Sequence, residues 1–100
     1  MNVMVEGTVK RRTRRWFFLS EWKRTQMFSD RVSTSIRGGL YILPGDLVLT
    51  LNPQSDGVHA IIKRGRQPVL GTILGGKVQG IPFRLYPNAD TVLEGSIYLS

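Results

Sequence analysis

Residues 44–64 read PGDLVLTLNPQSDGVHAIIKR, and this stretch decides the fold class. Leu47, Leu49 and Leu51 alternate with Val48 and Thr50, the two-residue period of a half-buried strand. Asn52-Pro53-Gln54-Ser55-Asp56-Gly57 is dense in turn formers, and Val58–Arg64 returns as an aliphatic strand. Residues 46–64 therefore predict a β-hairpin. Pro44-Gly45 supplies the turn before it, and Asp46 is expected to start the strand.

Working outward, the same period recurs. Val3, Val5, Gly7 and Val9 alternate with Met4, Glu6, Thr8 and Lys10. Trp16-Phe17-Phe18-Leu19 is strand-prone by its aromatic content. Residues 20–31 fit a continuing strand or one helical turn, with strand and loop preferred, and 33–39 read as a loop closed by Gly38-Gly39. On the far side, 69–74, 78–86 and 91–99 form three more strand-like runs, broken by Gly75-Gly76 and by Pro87-Asn88-Ala89-Asp90. Pro82 inside the second run suits an edge strand or a bulge. No segment carries an apolar stripe of helical period and length. Strands spaced this closely predict an all-β barrel or sandwich.

The chain has 100 residues, 41% of them hydrophobic and 21% charged, which is ordinary for one folded domain. It has no cysteine, which excludes disulfides, thiolate metal sites and a cysteine nucleophile, and fits a reducing, cytoplasmic setting. No apolar run approaches the ~20 residues of a membrane span. The net charge is +7, and residues 1–37 hold nine cations against three carboxylates, +6 of that total. Residues 67–100 are neutral. A one-sided positive field is what a polyanion partner needs; a solubilising surface is the plainer reading.

Chemistry-bearing motifs are few. His59 is the single histidine and shows no partners in sequence for catalysis or metal binding. The carboxylates Glu6, Glu21, Asp30, Asp46, Asp56, Asp90 and Glu94 have no paired or metal-like spacing. Ser20 lacks a nucleophile motif, and the glycine pairs match no phosphate loop. The sequence thus predicts neither an enzyme nor a cofactor or metal. It does offer five basic residues in six at Lys10–Arg15, followed directly by aromatics. Lys and Arg neutralise phosphates with release of counterions, and exposed aromatic faces stack on bases at about 1–3 kcal/mol each.

Several of these segments resemble the cold-shock version of the OB-fold. Gly7-Thr8-Val9-Lys10 stands where that family's first strand opens. Arg15-Trp16-Phe17-Phe18-Leu19 is similar to its second-strand basic-aromatic motif, without the family's glycines. Met27-Phe28-Ser29-Asp30 looks like its third-strand motif, with Asp30 in place of the histidine. Pro44-Gly45-Asp46-Leu47-Val48 and Gly57-Val58-His59-Ala60-Ile61-Ile62 follow its fourth and fifth strands. The resemblance implies a small OB-like barrel over residues 1–66, with residues 67–100 as a C-terminal β extension within a single domain. It also implies single-stranded nucleic acid, RNA or DNA, as the partner.

The expected interface is Lys10, Arg11, Arg12, Arg14, Arg15, Trp16, Phe18, Trp22, Lys23, Arg24 and Phe28, extended by Lys63, Arg64 and Arg66. If residues 16–19 form one regular strand, Trp16 and Phe18 share the ligand face while Phe17 and Leu19 enter the core. The opposite assignment, with Trp16 and Phe18 buried, is the structural alternative. For any single cation the alternative is solvated surface charge. About six phosphate contacts would give a salt slope of roughly −0.7 per contact. The competing function is an oligomeric structural or interaction protein, such as a small viral or phage component, associating through residues 67–100. A basic inhibitor of an acidic protein surface and a duplex binder through Lys10–Arg15 also fit the charge.

Overall fold

The computed structural model describes residues 2–16, 19–35, 37–75 and 80–99, with the side chains of 14–20 outside that description. Eight antiparallel strands account for nearly all of it. They are β1 (Asn2–Trp16), β2 (Leu19–Ser33), β3 (Gly39–Leu43), β4 (Leu47–Gln54), β5 (Gly57–Arg64), β6 (Gln67–Leu74), β7 (Gly80–Asn88) and β8 (Thr91–Leu99). They form two four-stranded sheets, ordered β2-β1-β8-β7 and β3-β4-β5-β6. No described residue is helical, so no helix is long and apolar enough to cross a membrane.

The hairpin read from residues 46–64 is β4–β5. Leu49 pairs with Ile62 and Leu51 with Ala60, and all four are buried. The turn is tighter than the sequence suggested: β4 runs on through Gln54, leaving Ser55 and Asp56 between the strands. Asp46 does not start β4. It sits in the preceding turn with φ 61°, next to Gly45 at φ 81°, a conformation that glycine and aspartate tolerate best.

The inner face of the first sheet supplies the other half of the core, with Val3, Val5 and Val9 of β1 and Leu93 and Ile97 of β8. Gly7 on β1 lies opposite Gly95 on β8. Neither fills its place on the inner face. Phe28 from β2 and Phe83 from β7, both buried, cover the two glycines from either side. A methyl on Gly7 would come within 2.8 Å of the Phe28 ring, and one on Gly95 within 2.9 Å of Phe83. Phe28 is thus a core residue, and its expected role as a stacking surface is corrected: the space left by Gly7 draws its ring inward.

The topology also revises the OB-like division. The first 64 residues close no unit of their own, because β1 pairs with β2 and β8, while β3–β5 belong to the other sheet. The C-terminal strands are integral: β8 is an interior strand, β6 and β7 are edges. Four strands (β2, β7, β3 and β6) are sheet edges, so the two layers do not join into one closed ladder. Pro82 lies on edge strand β7, the kind of strand in which a sheet accommodates proline.

β1 and β2 are the longest strands, fifteen residues each. They pair from Asn2↔Ser33 to Trp16↔Leu19, but β8 accompanies β1 only as far as Thr91, opposite Arg11. Beyond Arg11 the hairpin continues as a two-stranded arm, and the molecule measures 52 × 26 × 20 Å. Residues 20–31, expected as strand and loop, are strand throughout. Trp16 ends β1 and Leu19 begins β2, so the Trp16–Leu19 run does not form one continuous strand. A β-bulge at the root of the arm, between Val9↔Gln26 and Lys10↔Arg24, leaves Thr25 as the extra residue. Its hydroxyl donates to the Val9 carbonyl at 3.3 Å. Bulges sharpen strand twist, and this one falls where the arm leaves the sheet.

Candidate nucleic-acid interface

The arm gathers most of the residues singled out in the sequence. Residues 10–24 carry seven cations against Glu21, a net +6 of the chain's +7. Cross-strand register sorts them by face. Lys10 opposes Arg24 and Arg12 opposes Trp22, which places these four on the outer face of the first sheet. Arg11 opposes Lys23 on the other face, past the end of the core. Trp22 is 39% exposed, and the Arg12 guanidinium lies over its ring, 5.7 Å from the centroid. Arg14 pairs with Ser20 and Trp16 with Leu19 in the backbone ladder. The expected side-chain roles of Arg14, Arg15 and Trp16, with those of Phe17 and Leu19, fall outside the described residues, as does Phe18.

An isolated two-stranded ribbon is marginal in water, so the arm needs an anchor at its root. Arg12 provides it. Its backbone N–H donates to the Asp90 carbonyl at 2.8 Å, and its Nε and Nη2 donate to Asp90 Oδ1 at 3.1 and 2.9 Å. Asp90 lies in the β7–β8 turn, so this contact ties the arm to the far hairpin of the same sheet.

Beside that anchor the outer face holds a cleft of about 220 Å³, lined by Lys10, Trp22, Arg84, Tyr86, Val92 and Glu94. Val92, opposite Lys10, is 3% exposed although it sits on the outer face. Tyr86 is 51% exposed on β7. Glu94 accepts from Lys10 Nζ at 3.4 Å and from Arg84 Nη2 at 2.9 Å. Burial works against its charge, but the hydrogen bond and charge of Arg84, helped by Lys10, hold its carboxyl below the ordinary glutamate value. Arg84, Tyr86, Val92 and Glu94 were not among the residues the sequence pointed to. They lie some sixty residues or more from β1 and join it only because β8 pairs with β1.

The second basic group splits. Lys63 is half-buried, cross-strand from Val48 on the outer face of the second sheet. Arg64 reaches across the sheets, its Nη2 donating to the Tyr86 carbonyl. Arg66 is exposed at the β5–β6 turn. Arg64 thus adjoins the strand that bears Tyr86.

His59 has a partner after all: its Nε2 is 2.7 Å from Asp56 Oδ1 across the β4–β5 turn. That hydrogen bond, opposed by slight desolvation, holds the Asp56 carboxyl below its ordinary value. Among the described residues no group of three or more His, Cys, Asp or Glu side chains could hold a metal ion. Comparison with protein-family models, curated proteins and solved structures found no match to this chain.

Proposed function

We propose that this protein is a non-catalytic nucleic-acid-binding module that captures single strands with its basic β-arm. The observation that carries this reading is the placement of +6 of the net charge on residues 10–24, the root and outer part of a β1–β2 hairpin that has no third strand beyond Arg11 and bears an exposed tryptophan. A ribbon of this kind can meet phosphates from both faces, while Trp22 offers a base a stacking surface on one of them. Exposed aromatics favour single strands, whose bases are free to stack.

The test uses the chain's own fluorescence. Both tryptophans, Trp16 and Trp22, belong to the arm strands. Titration with a single-stranded oligonucleotide should change their emission, and raising the salt should abolish the change. Trp16→Ala with Phe18→Ala should weaken binding severalfold while leaving the thermal transition in place. An emission spectrum indifferent to oligonucleotides at low salt would refute the reading.

A second reading, self-association, has its own observation. Leu40 and Ile42 on edge strand β3 are 62% and 69% exposed, and Val69 and Ile73 on edge strand β6 are also exposed. This places the apolar surface partly outside residues 67–100. Light scattering over a concentration series decides it: a mass that stays at the 11.3 kDa of one chain rejects the oligomer.

A further inference from the structure

We infer that the cleft at the root of the arm holds one unstacked base, and that Glu94 selects bases bearing an exocyclic amine, cytosine foremost. This rests on the reading of the arm as a single-strand binder and specifies what that arm recognises.

The cleft has the parts that a base requires. Trp22 on β2 and Tyr86 on β7 stand on its two sides, and the buried Val92 lies between them on β8. About 220 Å³ is below the range of pockets for drug-sized ligands, which suits one planar heterocycle. Lys10 and Arg84 line the same space, where both are paired with Glu94 and leave the cleft one positive charge in excess. The backbone of a bound strand would continue from here along the outer face toward Arg12 and Arg24.

Glu94 gives the cleft its selectivity. A carboxylate has about four acceptor positions. Lys10 and Arg84 occupy some of them at 3.4 and 2.9 Å, and the side chain remains 29% exposed toward the cleft. An ionised carboxylate only accepts hydrogen bonds. It therefore matches the amine of cytosine and is mismatched with the carbonyl that uracil carries at the same position. Its charge is neutralised locally by the two cations, so it does not repel the incoming strand as an isolated carboxylate would.

The experiment measures binding of the full chain to labelled dC and dU oligonucleotides of equal length, and to a duplex, by fluorescence anisotropy. The wild-type chain should prefer dC by about tenfold, the size of one charge-assisted hydrogen bond. Glu94→Val should erase that preference, so that its affinities for dC and dU become equal. Tyr86→Ala should weaken both single strands and leave duplex binding alone. Equal wild-type affinity for dC and dU overturns the inference and needs no variant to fold. A steep salt dependence with no base preference removes the cleft but keeps the arm as binder. Failure of every oligonucleotide to bind removes both.

Discussion

Arg11 and Lys23 offer the sharpest separation of binding from stability. They are direct cross-strand partners on the arm, both exposed and of like charge. Like charges in that position destabilise a ladder by about 0.2–1 kcal/mol. Replacing both by threonine (Arg11→Thr with Lys23→Thr) removes the repulsion and puts a β-branched pair, favoured in strands, in its place. The arm carries seven cations, of which Lys10 and Arg12 are drawn toward Glu94 and Asp90. Taking the other five as phosphate contacts gives a salt slope of about −3.5 on a single strand, and about −2.1 once two are removed. A fourfold rise in salt should therefore cost the wild-type chain about 100-fold in affinity and the variant about 20-fold. Anisotropy at four salt concentrations reads the slope, and a thermal melt reads stability. The melting temperature should hold or rise by a few degrees, since about 1 kcal/mol moves a domain of this size by roughly 4–8 °C. An unchanged slope would refute the assignment of these cations to phosphate. A lowered melting temperature would refute the cross-strand repulsion.

Three further outcomes follow from the geometry. Gly95→Ala should lower the melting temperature by at least about 4 °C, since its methyl meets the Glu6 carbonyl and approaches the Phe83 ring at 2.9 Å, whereas Gly71→Ala, with nothing within 4 Å, should change it little. Asp90→Ala should speed amide exchange over residues 12–24, measured by mass spectrometry, with little change in global melting, because it loosens the anchor of the arm and leaves the core intact. Glu94 has a folded pKa below its ordinary 4.5, so its contribution to stability is present above that value and lost as the pH falls through the lower, folded one. Acid melts of the wild-type chain should therefore decline below about pH 4.5 more steeply than those of Glu94→Val.

The strands facing the core were legible because period-two burial writes itself into composition: Leu47, Leu49 and Leu51 are all buried, as the alternation required. β2 was harder to read. It is an edge strand that leaves the sandwich, so between residues 21 and 33 only Phe28 and Val32 are buried, and nothing repeats often enough to show a period. The bulge at Thr25 then shifts its parity, so no count along the chain could tell which face Phe28 takes. Its inward turn depends on Gly7 across the ladder, a contact with no local signature. The Trp16–Leu19 run misled because aromatic content signals a strand but does not show where a hairpin reverses. The cleft lay beyond sequence reading for a topological reason. A chain that pairs its first strand with its last makes neighbours of Lys10 and Glu94, and the charge balance of residues 67–100 concealed that two of their charges line a basic site.

The distribution of cations over both faces of the arm bears on how a strand would engage it. A ligand confined to the outer face would run from Trp22 across Lys10 to Tyr86 and meet Arg12, Arg24 and Arg84 on the way, leaving Arg11 and Lys23 behind the ribbon. Those two would then act only through the field, which decays over roughly 8 Å at physiological salt, about the distance through a two-stranded ribbon with its side chains. Confining so many like charges to so narrow an element costs stability that a flat, one-faced contact would not recover. A strand that wraps the arm neutralises both rows and relieves the repulsion between Arg11 and Lys23 as it binds. On the proposed reading, the arm's length beyond β8, its lack of a third strand and its two charged faces serve one end: each would be a liability alone, and a polyanion wound around the arm would offset all three.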